Sequence, residues 1–151
     1  MNAMNPHEDN STDKLRALVK RYEVVWSVRP EDLIREPGGV VHVGFLLELA
    51  GNHGGEDHAP LPGCARCREL YRDLVCIVRW AVPKESTECR YDIEPFDASL
   101  HYEGSPHTRA EVVLTLRISH RQRWDAPVDT VETQCLHFVE QRLSQLGVQK
   151  H

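Results

Sequence analysis

From Asp13 onward the apolar positions of the chain recur with two alternating periods. Leu15, Leu18, Val19 and Tyr22 stand at helical spacing behind the capping candidates Ser11 and Thr12, which predicts a short helix. In "YEVVWSV" the β-branched and aromatic residues put Tyr22, Val24, Trp26 and Val28 on one face, predicting a strand that Pro30 and the turn-forming "EPGG" bring to an end. "VVHVGFLLELA" alternates Val41, Val43, Phe45, Leu47 and Leu49 against a mixed opposite face and is expected to pair antiparallel with the first strand.

The second half repeats the alternation of periods. "CRELYRDLVCIVRWAV" places Cys67, Leu70, Tyr71, Leu74, Val75, Val78 and Ala81 on one helical stripe, and Pro83 stops it. "CRYDIEPFDASLHYEG" reads as a strand broken near Pro95. "AEVVLTLRISH" alternates Ala110, Val112, Leu114, Leu116 and Ile118 against Glu111, Thr115, Arg117 and Ser119. A last helix is expected over 128–146, with Val128, Val131, Cys135, Phe138, Val139 and Leu146 facing inward, Pro127 at its start and Gly147 at its stop. Cys76 and Cys135 fall on the apolar sides of their helices and are read as small core residues.

"WSVRPED" and "YDIEPFD" share their aromatic, β-branched, proline and aspartate positions, and each leads into an alternating strand, a loop and an amphipathic helix. The expected fold class is therefore α+β: a four-stranded antiparallel sheet built from two strand-strand-helix units, related by an internal pseudo-twofold repeat, with the helices packed on one face. The opposite face, carrying Val40, His42, Leu46, Val113 and Thr115, is compatible with a homodimer interface or a ligand groove.

The chain has 151 residues, enough for one domain. Residues 1–10 are polar and aperiodic and read as a disordered tail, leaving 11–151 as a single domain. With 18 basic and 23 acidic residues the net charge is −5, which argues against a protein that holds nucleic acid by neutralising phosphates. Arg117, Arg121 and Arg123 beside Trp124 could contact phosphates and bases, but three arginines at a strand end also serve to block edge pairing. No apolar run is long enough to span a membrane and no leader pattern opens the chain. Five cysteines, two of them as Cys64-x-x-Cys67, fit a reducing cytoplasm better than a disulfide framework.

"GNHGGEDHAPLPGCARC", residues 51–67, carries the densest chemistry in the chain. Zinc takes four nitrogen or sulfur donors in a tetrahedron, and a C-x-x-C turn is the usual source of one pair. Cys64 and Cys67 provide that pair at the expected start of a helix, where the dipole favours thiolate. His53 and His58, with glycines between them, provide two imidazoles. The expected metal ligands are His53, His58, Cys64 and Cys67, with Glu56 or Asp57 accepting a hydrogen bond from an imidazole or replacing one as ligand. The donor set suits zinc before iron, and four candidates for four positions describe a closed structural site. A binding or assembly module whose protein or small-molecule partner the sequence leaves unnamed is the function this implies. Two enzymatic alternatives use the same residues: a zinc with an open position and a free carboxylate as base, or a thiol-disulfide oxidoreductase with Cys64 as nucleophile and Cys67 as resolving thiol. His101, His107 and His120 with Cys89 match no ligand spacing, and neither a catalytic triad nor a phosphate-binding glycine loop can be assembled.

Overall fold

The computed structural model describes residues 6–30, 34–36, 40–54, 65–85, 89–95, 111–123 and 129–151. Helix α1 (Pro6–Tyr22) begins well before Asp13 and takes in residues 6–10, which composition alone assigned to a tail. Proline at a first helical position is preset in φ and loses no hydrogen bond there, and Glu8 and Asp9 suit the positive end of the helix. The chain continues through β1 (Val25–Pro30), β2 (Ile34–Glu36), β3 (Val40–Asn52), α2 (Ala65–Ala81), β4 (Cys89–Ile93), β5 (Glu111–Arg123), α3 (Asp129–Gln145) and β6 (Gln149–Lys150).

The class is α+β, but the sheet has six strands where four were expected. Its order is β4-β5-β3-β1-β6, with β2 also paired to β3. The long strands β3 and β5 form the antiparallel centre, in register from Val40 opposite Arg123 to Asn52 opposite Glu111. β1 pairs antiparallel with β3, and β4 with β5, while β6 joins β1 in parallel. The expected four-stranded, all-antiparallel sheet is thus not what forms: β2 and the parallel β6 make the sheet larger and mixed. The offset that lays Trp26 on Tyr91 would carry Leu49, the partner of Trp26, onto Leu114, whereas the ladder pairs Tyr91 with Ile118.

The core lies between one sheet face and the three helices. Phe45, Leu47 and Leu49 of β3 and Val112, Leu114, Leu116 and Ile118 of β5 are buried on that face. They pack with Leu15, Val19 and Tyr22 of α1, Leu70, Leu74 and Ile77 of α2, and Val139 and Leu143 of α3. On the other face Leu46, Glu48, Ala50, Val113 and Thr115 are partly buried and Arg117 is exposed. Arg29 reaches Glu48 there at 3.4 Å. Two core expectations fail: Cys76 is exposed, and Phe138 is 39% exposed. Both stand next to the true stripe rather than on it, since α2 turns Leu74, Ile77 and Val78 inward and α3 turns Cys135, Val139 and Leu143 inward. Val128 and the side chain of Val131 lie outside the described residues, as do those of Val41 and Val43.

α1 and α3 end alike. After α3, Gly147 adopts φ 82°, its N–H bonds to the Ser144 carbonyl at 3.0 Å and the Val148 N–H to the Leu143 carbonyl at 3.0 Å. After α1 the same pattern runs from Glu23 to Lys20 at 3.4 Å and from Val24 to Val19 at 3.0 Å, with Glu23 at φ 50°. Both are Schellman stops, and each directs the chain into one strand of the parallel pair. Only α1 uses a residue with a Cβ for the left-handed position, at a cost of about 1 kcal/mol. Replacing Glu23 with glycine should therefore raise the unfolding free energy by about 0.5–1 kcal/mol, part of the gain being offset by glycine's greater freedom in the unfolded chain. The midpoint of urea unfolding measures this; an unchanged or lower midpoint would refute it.

Candidate metal centre

The site begins with a missing side chain. Gly51 takes the last core-facing position of β3, and a Cβ there would stand 3.0 Å from Leu70 Cδ1, 3.4 Å from Tyr22 Cβ and 3.6 Å from Leu74 Cδ2. All three neighbours are buried, so they have little room to yield, and the glycine lets α2 settle close to the strand end. Asn52 then ends the strand, and its Oδ1 accepts the Gly54 N–H at 2.8 Å, an Asx turn. Gly54 closes the turn at φ 74°. His53, held between these two residues, is directed at the head of α2.

Cys67 is the third residue of α2 and lies on its buried stripe. His53 Nε2 stands 3.2 Å from Cys67 Sγ. His53 Nδ1 lies 2.8 Å from the Gly54 carbonyl, which can only accept, so Nδ1 carries the proton of the neutral ring and donates it there. The Nε2 lone pair is thereby aimed at the sulfur. Such a pair can share the thiol proton, or both atoms can ligate one cation. Two ligands of a tetrahedral zinc, with Zn–N about 2.0 Å and Zn–S about 2.3 Å, stand about 3.5 Å apart. The observed separation is within a few tenths of an ångström of that.

Of the four expected ligands, His53 and Cys67 are brought together. His58 and Cys64 lie outside the described residues, as do Glu56 and Asp57. Among the described residues no group of three or more His, Cys, Asp or Glu side chains is arranged to hold a metal ion. The residues that aim the pair, Gly51 and Asn52, were not singled out from the sequence. A signal was available for the first: a glycine continuing the 45, 47, 49 core alternation marks a close approach of something to the strand.

The head of α2 is electropositive. It has no acidic residue in its first turn, and Arg66 and Arg68 flank Cys67. One turn and a half further on, Asp73 accepts a hydrogen bond from the Tyr22 hydroxyl at 2.8 Å, tying α1 to α2 beneath the site. Burial, followed by that bond and the Asp73 charge, pushes the Tyr22 phenol up to about 12. On the other flank of the helix the Tyr71 hydroxyl donates to the Glu94 carbonyl, and burial, then the Glu94 charge, raises its pKa as well.

Two grooves lie away from the pair. One, of about 660 Å³, runs between the ends of α1 and α3 past Arg16, Lys20, Glu23 and Gln145. The other, of about 450 Å³, lies beside β4 and is lined by Arg79, Lys84, Tyr91 and Ile93. Neither is lined by His53 or Cys67. No helix among the described residues is long and apolar enough to cross a membrane. No family model, no curated protein sequence and no solved structure matches this chain.

Among the described cysteines, Cys67 and Cys135 are buried and Cys76 is exposed. Brief treatment of the native protein with iodoacetamide, followed by peptide mass mapping, should find Cys76 modified and Cys67 and Cys135 protected until denaturant is added; early loss of Cys67 would contradict its burial. Because the Tyr22 pKa is higher in the folded than in the unfolded chain, its contribution to stability is complete below pH 10 and fades as pH rises toward about 12. The pH slope of the unfolding free energy in that window should be steeper for the wild type than for Tyr22→Phe, and equal slopes would refute the assignment.

Proposed function

We propose that the protein binds one zinc ion where β3 hands over to α2, through His53, His58, Cys64 and Cys67, with Glu56 or Asp57 supporting an imidazole or standing in for one. The single observation that carries this reading is the 3.2 Å approach of His53 Nε2 to Cys67 Sγ with the ring proton held on the far nitrogen. In the sequence Cys64 immediately precedes Ala65, the first residue of α2, three residues before Cys67. The metal is structural: Cys67 is wholly buried, and the sequence between His53 and Cys67 is rich in glycine and proline, the composition a metal tether at both ends would suit. In this reading the protein is a cytoplasmic binding or assembly module.

The second reading uses the same pair for thiol chemistry, with Cys64 attacking a disulfide and the buried Cys67 resolving the mixed disulfide. The lone pair of His53 on the Cys67 sulfur favours it, since a base at that place takes the thiol proton. The hairpin-rich antiparallel sheet weighs against it.

Protein purified without chelator should contain about one equivalent of zinc, and His53→Ala, Cys67→Ser and Cys64→Ser should each lose most of it. A wild type free of metal, and unable to take up added zinc, would overturn the metal reading. Reversible formation of a Cys64–Cys67 disulfide in such a protein would establish the second.

A further inference from the structure

We infer that the solvent-facing ridge of α2 is a docking surface for an acidic amphipathic helix of a partner protein. Arg68, Arg72 and Arg79 are exposed. At 3.6 residues per turn they fall within an arc of about 40°, with rises of about 6 Å and about 10 Å between neighbours. They form a straight line of charge along the helix. Among the described residues none of the three makes a hydrogen bond or an ion pair, whereas Arg16, Arg29 and Lys150 each meet a carboxylate.

The line is placed against local energetics. Arg68 stands in the first turn, where the helix dipole disfavours a cation, and Arg68 and Arg72 are like charges at i and i+4. Acidic residues outnumber basic ones in the whole chain, so this concentration is not a by-product of composition. Carboxylates from a partner would relieve both costs.

Arginine and aromatic side chains also stand together at the C-terminal end of α2, about 100° around the helix from Arg79. The Arg142 guanidinium lies 3.7 Å from the centre of the Trp80 ring and 5.5 Å from that of Phe138, and it donates to the Trp80 carbonyl at 2.9 and 3.2 Å. These bonds cap the end of α2 and fix the cation in place. Phe138 is the large apolar side chain that the described residues leave exposed. Arginine beside exposed aromatics is the composition of protein interfaces.

The chemistry selects among occupants. A nucleic acid would be repelled at range by a chain of net charge −5, and the Trp80 ring face that could stack a base is covered by Arg142. A second copy in a twofold dimer would set the arginine line against itself. A helix with carboxylates one and three turns apart matches the spacing of the line. The inference does not depend on the metal.

The test uses the full chain and a labelled synthetic helix of about 18 residues carrying glutamates at i, i+4 and i+11 and leucines on one flank. Fluorescence anisotropy should show saturable binding that is weakened about tenfold in Arg68→Gln/Arg72→Gln/Arg79→Gln, with helical circular dichroism and melting temperature unchanged. Absence of saturable binding overturns the inference, as does equal affinity in the triple variant. Tighter binding of a single-stranded oligonucleotide through the same arginines, or sedimentation showing a dimer that the triple variant abolishes, overturns the choice of partner.

Discussion

The contact on which the rest depends is the one made at Gly51. β3 and α2 can approach as they do because the strand presents no side chain to Leu70, Leu74 and Tyr22 at its last core-facing position. The hydrophobic effect drives that closure, but the missing Cβ decides where it happens: at the strand's end, one residue before the Asx turn of Asn52. His53 therefore meets Cys67 as a consequence of core packing, not as a loop contact that must be held by itself. The geometry of the pair is as firm as the packing beneath it.

That packing is itself fixed from both sides of α2. Tyr22 bonds to Asp73 from α1, and Arg142 of α3 caps the helix end at Trp80. The two outer helices close with the same left-handed stop and deliver Val24 and Val148 into the core as they feed β1 and β6. Arg16 of α1 donates to the Gln145 carbonyl at 3.0 Å, so the ends of α1 and α3 are joined directly. The outcome is a helical layer whose central member, carrying Cys67 at its head and the arginine line on its back, has little freedom to shift relative to the sheet.

The alternation in 45–49 and 112–118 and the stripe through Leu70, Leu74 and Val78 were legible in the sequence because burial on one face imposes its period directly. So were the antiparallel pairings of β1 with β3 and of β4 with β5, whereas the central β3–β5 ladder was not named. The parallel β6 and the short β2 were not, since two or three residues carry no period and their pairing is set by where longer elements end. Cys76 and Phe138 were misplaced for a related reason: an apolar residue beside the stripe resembles one on it until the neighbouring helix is known. Of the proposed metal centre, His53 and Cys67 were legible as residue types at a plausible spacing. Their orientation was not, because it rests on a close approach at Gly51 and a side-chain turn at Asn52 that leave only a faint mark in the sequence. His58, Cys64, Glu56 and Asp57 lie outside the described residues.

X-ray absorption fine structure of the zinc-loaded protein tests the central claim most directly. The account requires a four-coordinate shell mixing sulfur at about 2.3 Å with nitrogen at about 2.0–2.1 Å, including the outer-ring scattering of imidazole, with both the sulfur and the imidazole contributions reduced in Cys67→Ser and His53→Ala respectively. A shell of oxygen alone, or one that neither substitution alters, would contradict it.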